Sequence, residues 1–130
     1  MFTSYFFSNK LNQNQKLISI SNSIPREIKQ RLPNIITYKP LCPTWKIVQD
    51  YKRQIISKDE YSKIYIGCFL DKLNAARVYQ ELGEDAILLC WERPDKFCHR
   101  QLVAKWVQTH NIDCIEFIEV KQILINNLLL

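Results

Sequence analysis

Asp85-Ala86-Ile87-Leu88-Leu89-Cys90-Trp91-Glu92 is the stretch on which the fold turns. Its run Ala86–Trp91 is apolar on both faces, as expected of a central strand with helices packed on each side. After it, Phe97–His110 carries Leu102, Val103, Trp106 and Val107 at helical spacing and reads as a helix with one apolar face. Asp113–Val120 (DCIEFIEV) reads as the last core strand. Strand, helix and strand at these lengths imply right-handed crossovers and a largely parallel sheet.

Upstream, Gly83 closes a helical stretch Asn74–Leu82, where a left-handed residue suits the helix end. Ser57 followed by Glu60 has capping-box spacing and starts a helix Lys58–Leu73. Tyr61, Ile64, Tyr65, Cys68 and Phe69 make its apolar stripe, which places Cys68 in the core. Thr44–Gln54 is a further helix, and Asn34–Pro43, with Pro40 and Pro43, reads as irregular. Pro25 opens a short helix Arg26–Arg31. Lys16–Ser21 alternates as a strand. Phe2–Phe7 is aromatic and β-prone, followed by the polar Ser8–Gln15. The expectation is an α/β fold: a small three-layer Rossmann-like domain over residues 1–120, its mainly parallel sheet holding about four to five strands. The tail Lys121–Leu130 is open between a covering helix, a self-association patch and disorder.

A chain of 130 residues leaves room for one core. A hydrophobic fraction of 47% is enough to bury a proper core and argues against global disorder. Met1-Phe2-Thr3-Ser4-Tyr5 lacks the basic and apolar regions of a signal peptide, and no apolar run approaches the roughly 20 residues of a membrane helix. A cytoplasmic location and no membrane partner are therefore expected. Five cysteines, without a repeated spacing, are expected as thiols rather than a disulfide framework. The net charge of +5 favours an anionic partner, with little weight on its own.

In an open parallel sheet, ligands bind at the carboxyl ends of the strands, here the turn Arg93–Phe97. Asp95 is placed to cap the next helix, whose first turn suits an anion such as phosphate. On a helical wheel His99 falls near the centre of the apolar face, with Cys98 and Arg100 on opposite flanks. His99 should therefore point back at the sheet. Cys90 and Glu92 share one strand face, so a Glu92–His99 contact is expected. Each residue keeps a plainer alternative. His99 is a general base or a satisfied core histidine. Cys98 is a nucleophile of lowered pKa beside Arg100 or a buried inert thiol. Arg100 binds an anion or pairs with Glu92. Thr3 and Ser4 on the first strand suit the same sheet edge, as phosphate-binding hydroxyls.

Cys90, Cys98 and His99 are zinc-ligand types, but the spacing is not a Cys-x-x-Cys knuckle and the fourth ligand would be remote. No metal and no other cofactor is expected. The distance from Cys90 to Arg100 also exceeds the Cys-x5-Arg loop of tyrosine phosphatases.

Leu88-Leu89-Cys90-Trp91-Glu92-Arg93-Pro94-Asp95-Lys96-Phe97-Cys98-His99-Arg100 resembles the signature of the family called domain of unknown function 488. The opening Phe2-Thr3-Ser4-Tyr5-Phe6 and the segment Lys39-Pro40-Leu41-Cys42-Pro43 with Trp45 are similar to that family's start and centre. The resemblance implies a Rossmann-like fold and a site at Glu92, Cys98, His99 and Arg100, with Cys90 and Ser4 nearby. It implies no reaction. Cys42 departs from the family pattern, which favours a small residue there.

Three functions remain. The first is an enzyme or enzyme-like domain on a phosphate-bearing ligand, a nucleotide or nucleic-acid end, with Glu92, Cys98 and His99 catalytic, Arg100, Ser4 and Thr3 on the phosphate and Cys90 supporting. The second is a non-catalytic nucleic-acid or protein-binding module, and the third a regulatory partner whose Cys-His-Arg cluster is structural. Lys and Arg are scattered, with local density only at Arg26–Arg31 and Lys46–Arg53, which weighs against the second. A cluster of Cys, Glu, His and Arg at a strand end is more polar than a small fold needs, which favours the first. Oligomeric state stays open.

Overall fold

The computed structural model describes residues 1–117. Among these residues five parallel strands form one sheet in the order β3-β2-β4-β1-β5: β1 (Phe2–Tyr5), β2 (Lys16–Ser19), β3 (Ile36–Thr37), β4 (Ala86–Cys90) and β5 (Ile115–Glu116). Central β4 is buried at every position, as its unbroken apolar run requires. In the register Thr3 stands beside Leu88, Ser4 beside Leu89 and Tyr5 beside Cys90. Paired residues share a face, so one residue of offset decides which side of the sheet a side chain serves.

The two faces are covered differently. Helix α1 (Arg26–Arg31) packs Ile28, with Leu32 and Ile35, against Phe6, Leu17, Ile87, Leu89 and Phe117. The other face carries α2 (Trp45–Lys52), α3 (Lys58–Cys68), α4 (Ala75–Leu82) and α5 (His99–Thr109). Ile18, Ile20, Leu88 and Cys90 meet Tyr61 and Tyr65 of α3 and Val103 and Val107 of α5 there. Helices on both faces of a parallel sheet make the three-layer Rossmann-like arrangement that the alternation of elements predicts.

Local signals set several boundaries. Ser57 and Glu60 form the reciprocal capping box that starts α3. Asn74 accepts from the Arg77 N–H and starts α4. Gly83 follows α4 at φ 93°, a backbone angle that favours glycine.

Four expectations need correction. The Pro-rich segment contains β3, a two-residue edge strand, and a 3-10 turn Lys39–Leu41. The third helix stops at Cys68 and a 3-10 turn Leu70–Lys72 follows. Leu70 takes the core position there, and Cys68, at the end of the helix, is exposed. Helix α5 begins at His99, capped by the backbone of Cys98 and not by Asp95. The Lys96 N–H folds back onto the Arg93 carbonyl at 3.0 Å and so holds Asp95 in a turn ahead of the helix. The last strand is short among the described residues, and the expectations for 118–120 and for the tail lie outside them. No described helix is long and apolar enough to cross a membrane.

Candidate functional site at the switch point of the sheet

After β2 the chain leaves for α1 on one face, and after neighbouring β4 it leaves for α5 on the other. Chains departing in opposite directions from adjacent strands open a crevice at their carboxyl ends. A cavity of about 690 Å³ occupies that crevice. Ser21–Arg26 after β2 and Cys90–Glu92 with Lys96–His99 after β4 form its walls, completed by Trp45, Tyr51, Lys52 and Tyr61. The Trp91 indole N–H ties the two loops together through the Ser23 carbonyl at 3.0 Å.

The floor is built from Cys90, Cys98 and His99, all buried. Cys90 ends β4 and Cys98 precedes α5, so the fold brings together two sulfurs eight residues apart. They are joined as a disulfide, against the expectation that all five cysteines stand as thiols. The sequence offers no knuckle spacing because the strand end and the helix start do the positioning.

His99 points back at the sheet, as its place on the apolar face predicts. Its Nε2 lies 2.6 Å from the Ile20 carbonyl, and its Nδ1 lies 3.6 Å from Cys98 Sγ. A carbonyl only accepts, so Nε2 carries the proton and the neutral ring turns a lone pair to the sulfur. Burial pulls the imidazole down to about 4, opposed by the Ile20 bond and helped by the nearby Arg100 charge. Tyr65 packs edge-on against the ring, 5.4 Å between centroids. Both ring nitrogens are thus engaged away from Glu92, and the expected Glu92–His99 contact does not form.

Arg100 is fully buried and its fork is committed. Nε and one terminal nitrogen donate to Glu116 at 3.1 and 3.2 Å, and the other donates to Cys90 Sγ at 3.0 Å and to the Glu92 carbonyl. It faces β5 and the strand end and forms no part of the cavity wall. Arg100, expected on the phosphate, thus stands outside the lining of the cavity. Its partner is Glu116, not the Glu92 carboxylate. Thr3 also donates to Glu116, at 2.8 Å, which makes it a support of the same ion pair. Ser4 shares the face of its neighbour Leu89, on the α1 side of the sheet, away from the cysteines.

Several site residues escaped the sequence reading. Ile20 contributes only a backbone carbonyl, which no side-chain pattern reveals. Glu116 comes from a strand whose side-chain directions depend on register. Trp45 and Trp91 stand on the cavity wall, 61% and 42% exposed. Tyr51 and Phe97, 5.6 Å apart, continue the aromatic lining. Arg26, Lys52 and Lys96 stand on the wall against one carboxylate, Glu92, so the wall is net positive. Away from the floor, burial pushes the Cys42 and Cys114 thiols up to about 11, where they stay protonated.

The family model DUF488-N3a, described as the active DUF488-N3 subclade, matches residues 4–111 and so spans the site apart from Thr3 and Glu116. No curated protein and no solved structure matches the chain.

Proposed function

The chain belongs to the DUF488-N3a family, and from that premise and the crevice we propose an enzyme-like domain that binds a phosphate-bearing ligand of the nucleotide or nucleic-acid class. The observation that carries the reading is the composition of one cavity. Its wall joins exposed tryptophans to three cations, and its floor holds a cysteine with a histidine lone pair aimed at it. Aromatic faces take bases by stacking, and Lys or Arg takes the phosphates. A volume of about 690 Å³ matches a small ligand of that size. The family description as an active subclade supports an enzyme over a binding module.

The chemistry we assign to the floor is nucleophilic, in the reduced protein. The Cys98 thiol passes its proton to His99 Nδ1, and the thiolate attacks the ligand's electrophilic atom as the bond to the leaving group breaks. The imidazolium returns the proton to that group. Glu92, on the wall, is the second acid–base group. Arg100, Thr3 and Glu116 hold the end of β4 in place and touch no ligand, so that part of the cluster is structural.

The test is a thermal-shift screen of reduced wild type and Lys52→Ala against nucleotides, sugar phosphates, inorganic phosphate and short single-stranded oligonucleotides. One phosphate-bearing class should stabilise the wild type, by about 2.7 kcal/mol at a hundredfold excess over Kd, and should stabilise the variant less. No shift with any of these ligands contradicts the reading and turns attention to a protein partner.

A further inference from the structure

We propose that the reduced protein binds a zinc-class divalent cation through Cys90 Sγ, Cys98 Sγ and His99 Nδ1. These three atoms lie within 4.8 Å of one another. Two thiolates with one imidazole are a donor set that selects zinc among the common divalent ions. The absence of a knuckle in the sequence does not weigh against it, because the end of β4 and the start of α5 supply the convergence that a knuckle supplies elsewhere.

The surroundings fit a metal as well as the donors do. A ligating histidine usually donates its second N–H to a carbonyl or carboxylate, which fixes the ring. His99 does this through Nε2 to the Ile20 carbonyl at 2.6 Å, and the nitrogen left over is the one beside the sulfurs. The Arg100 guanidinium donates to Cys90 Sγ at 3.0 Å, and a cation on sulfur favours the thiolate that a metal needs. All three donors line the cavity. The fourth tetrahedral position therefore opens to the crevice, the arrangement of zinc sites that keep a water or ligand there.

Metal binding requires the dithiol. An added phosphine reduces the disulfide, leaving as its oxide with one water oxygen, and the two sulfurs emerge as thiols. Each then releases a proton to solvent as the cation binds. A loaded site holds no free thiolate, so the cation and the Cys98 nucleophile are alternative states of the same atoms. The proposal stands whether or not the crevice takes a nucleotide, since it is read by spectroscopy and not by turnover.

The experiment adds cobalt(II), as a coloured stand-in for zinc, to protein reduced by phosphine and desalted under nitrogen. The expected result is a sulfur-to-cobalt charge-transfer band that saturates at one ion per chain and is bleached by zinc. Cys90→Ser, Cys98→Ser and His99→Ala should each weaken binding tenfold or more, while Cys42→Ser, Cys68→Ser and Cys114→Ser leave the band intact. Circular dichroism identifies any variant that fails to fold, and Cys98→Ser, close in shape to the native residue, then carries the test. No band with the reduced wild type overturns the proposal. So does a band that survives Cys98→Ser.

Discussion

The two faces of the sheet solve the same packing problem with different materials. On the α1 side the buried side chains are apolar almost throughout: Phe6, Leu11, Leu17, Ile28, Leu32, Ile35, Ile87, Leu89 and Phe117. On the α5 side an equally buried layer holds His99 and Arg100 among the aromatics. Every buried polar side-chain atom among the described residues has a hydrogen-bond partner. The first face follows from hydrophobic burial alone. The second requires each polar group to be matched, and the matching fixes where Cys90, Cys98 and His99 sit. A face that needs such matching departs from what a small fold requires, and such departures mark function.

Substitutions on the two faces should therefore fail in different ways. Arg100→Ala, with the largest expected effect, leaves the Glu92 carbonyl and Cys90 Sγ without their donor and Glu116 with Thr3 and solvent only. The cavity left by a fully buried side chain, together with the lost donors to Cys90 Sγ and the Glu92 carbonyl, costs about 3 kcal/mol or more, read by urea denaturation. A loss below about 1 kcal/mol would remove the distinction between the faces. Leu89→Ala, on the apolar face, should cost about 2–5 kcal/mol through its cavity and leave Cys98 reactivity unchanged in the folded fraction.

Acid sharpens the contrast further. The His99 imidazole is neutral when folded, down to about 4, whereas the unfolded chain titrates near the ordinary histidine value of about 6.5. Between those values the unfolded state binds the extra proton, so stability is full above the upper value and falls as pH drops through the window. Metal-free His99→Gln should lose most of that slope, measured by denaturation at a series of pH values. Smallest in stability terms is Trp45→Ala, at an exposed position. It should leave the melting temperature within a degree or two of wild type. A nucleotide or oligonucleotide ligand should bind about 5- to 150-fold more weakly, the worth of one stacked base, by calorimetric titration.

The contrast also explains what could be read from the sequence. Long apolar periods gave β4, the helices and the inward turn of His99, because burial acts on each element by itself. The Arg100 partner could not be read so simply. Glu116 reaches the guanidinium from a strand placed beside β1 by the topology, sixteen residues onward. Ser4 and Thr3 differ by a single register step, which sends one to Leu89 on the α1 side and the other to Glu116. His99 turned from Glu92 to the Ile20 carbonyl, seventy-nine residues earlier, because β2 lies next to β4. The cysteines at the floor are legible as residue types in the signature, while their meeting depends on where β4 stops and α5 starts.

In the proposed function Cys98 is reached through the crevice and a phosphate-bearing ligand occupies the same space. The most direct test is alkylation of the reduced protein by a small haloacetamide, with the modified cysteines mapped by mass spectrometry with and without the ligand selected in the screen. Exposed Cys68 serves as the internal control. Cys98 should be modified rapidly, more slowly in His99→Gln and not at all with ligand bound, while Cys68 labelling is unchanged. Modification of Cys68 alone, or labelling of Cys98 that the ligand does not slow, would contradict the proposed function.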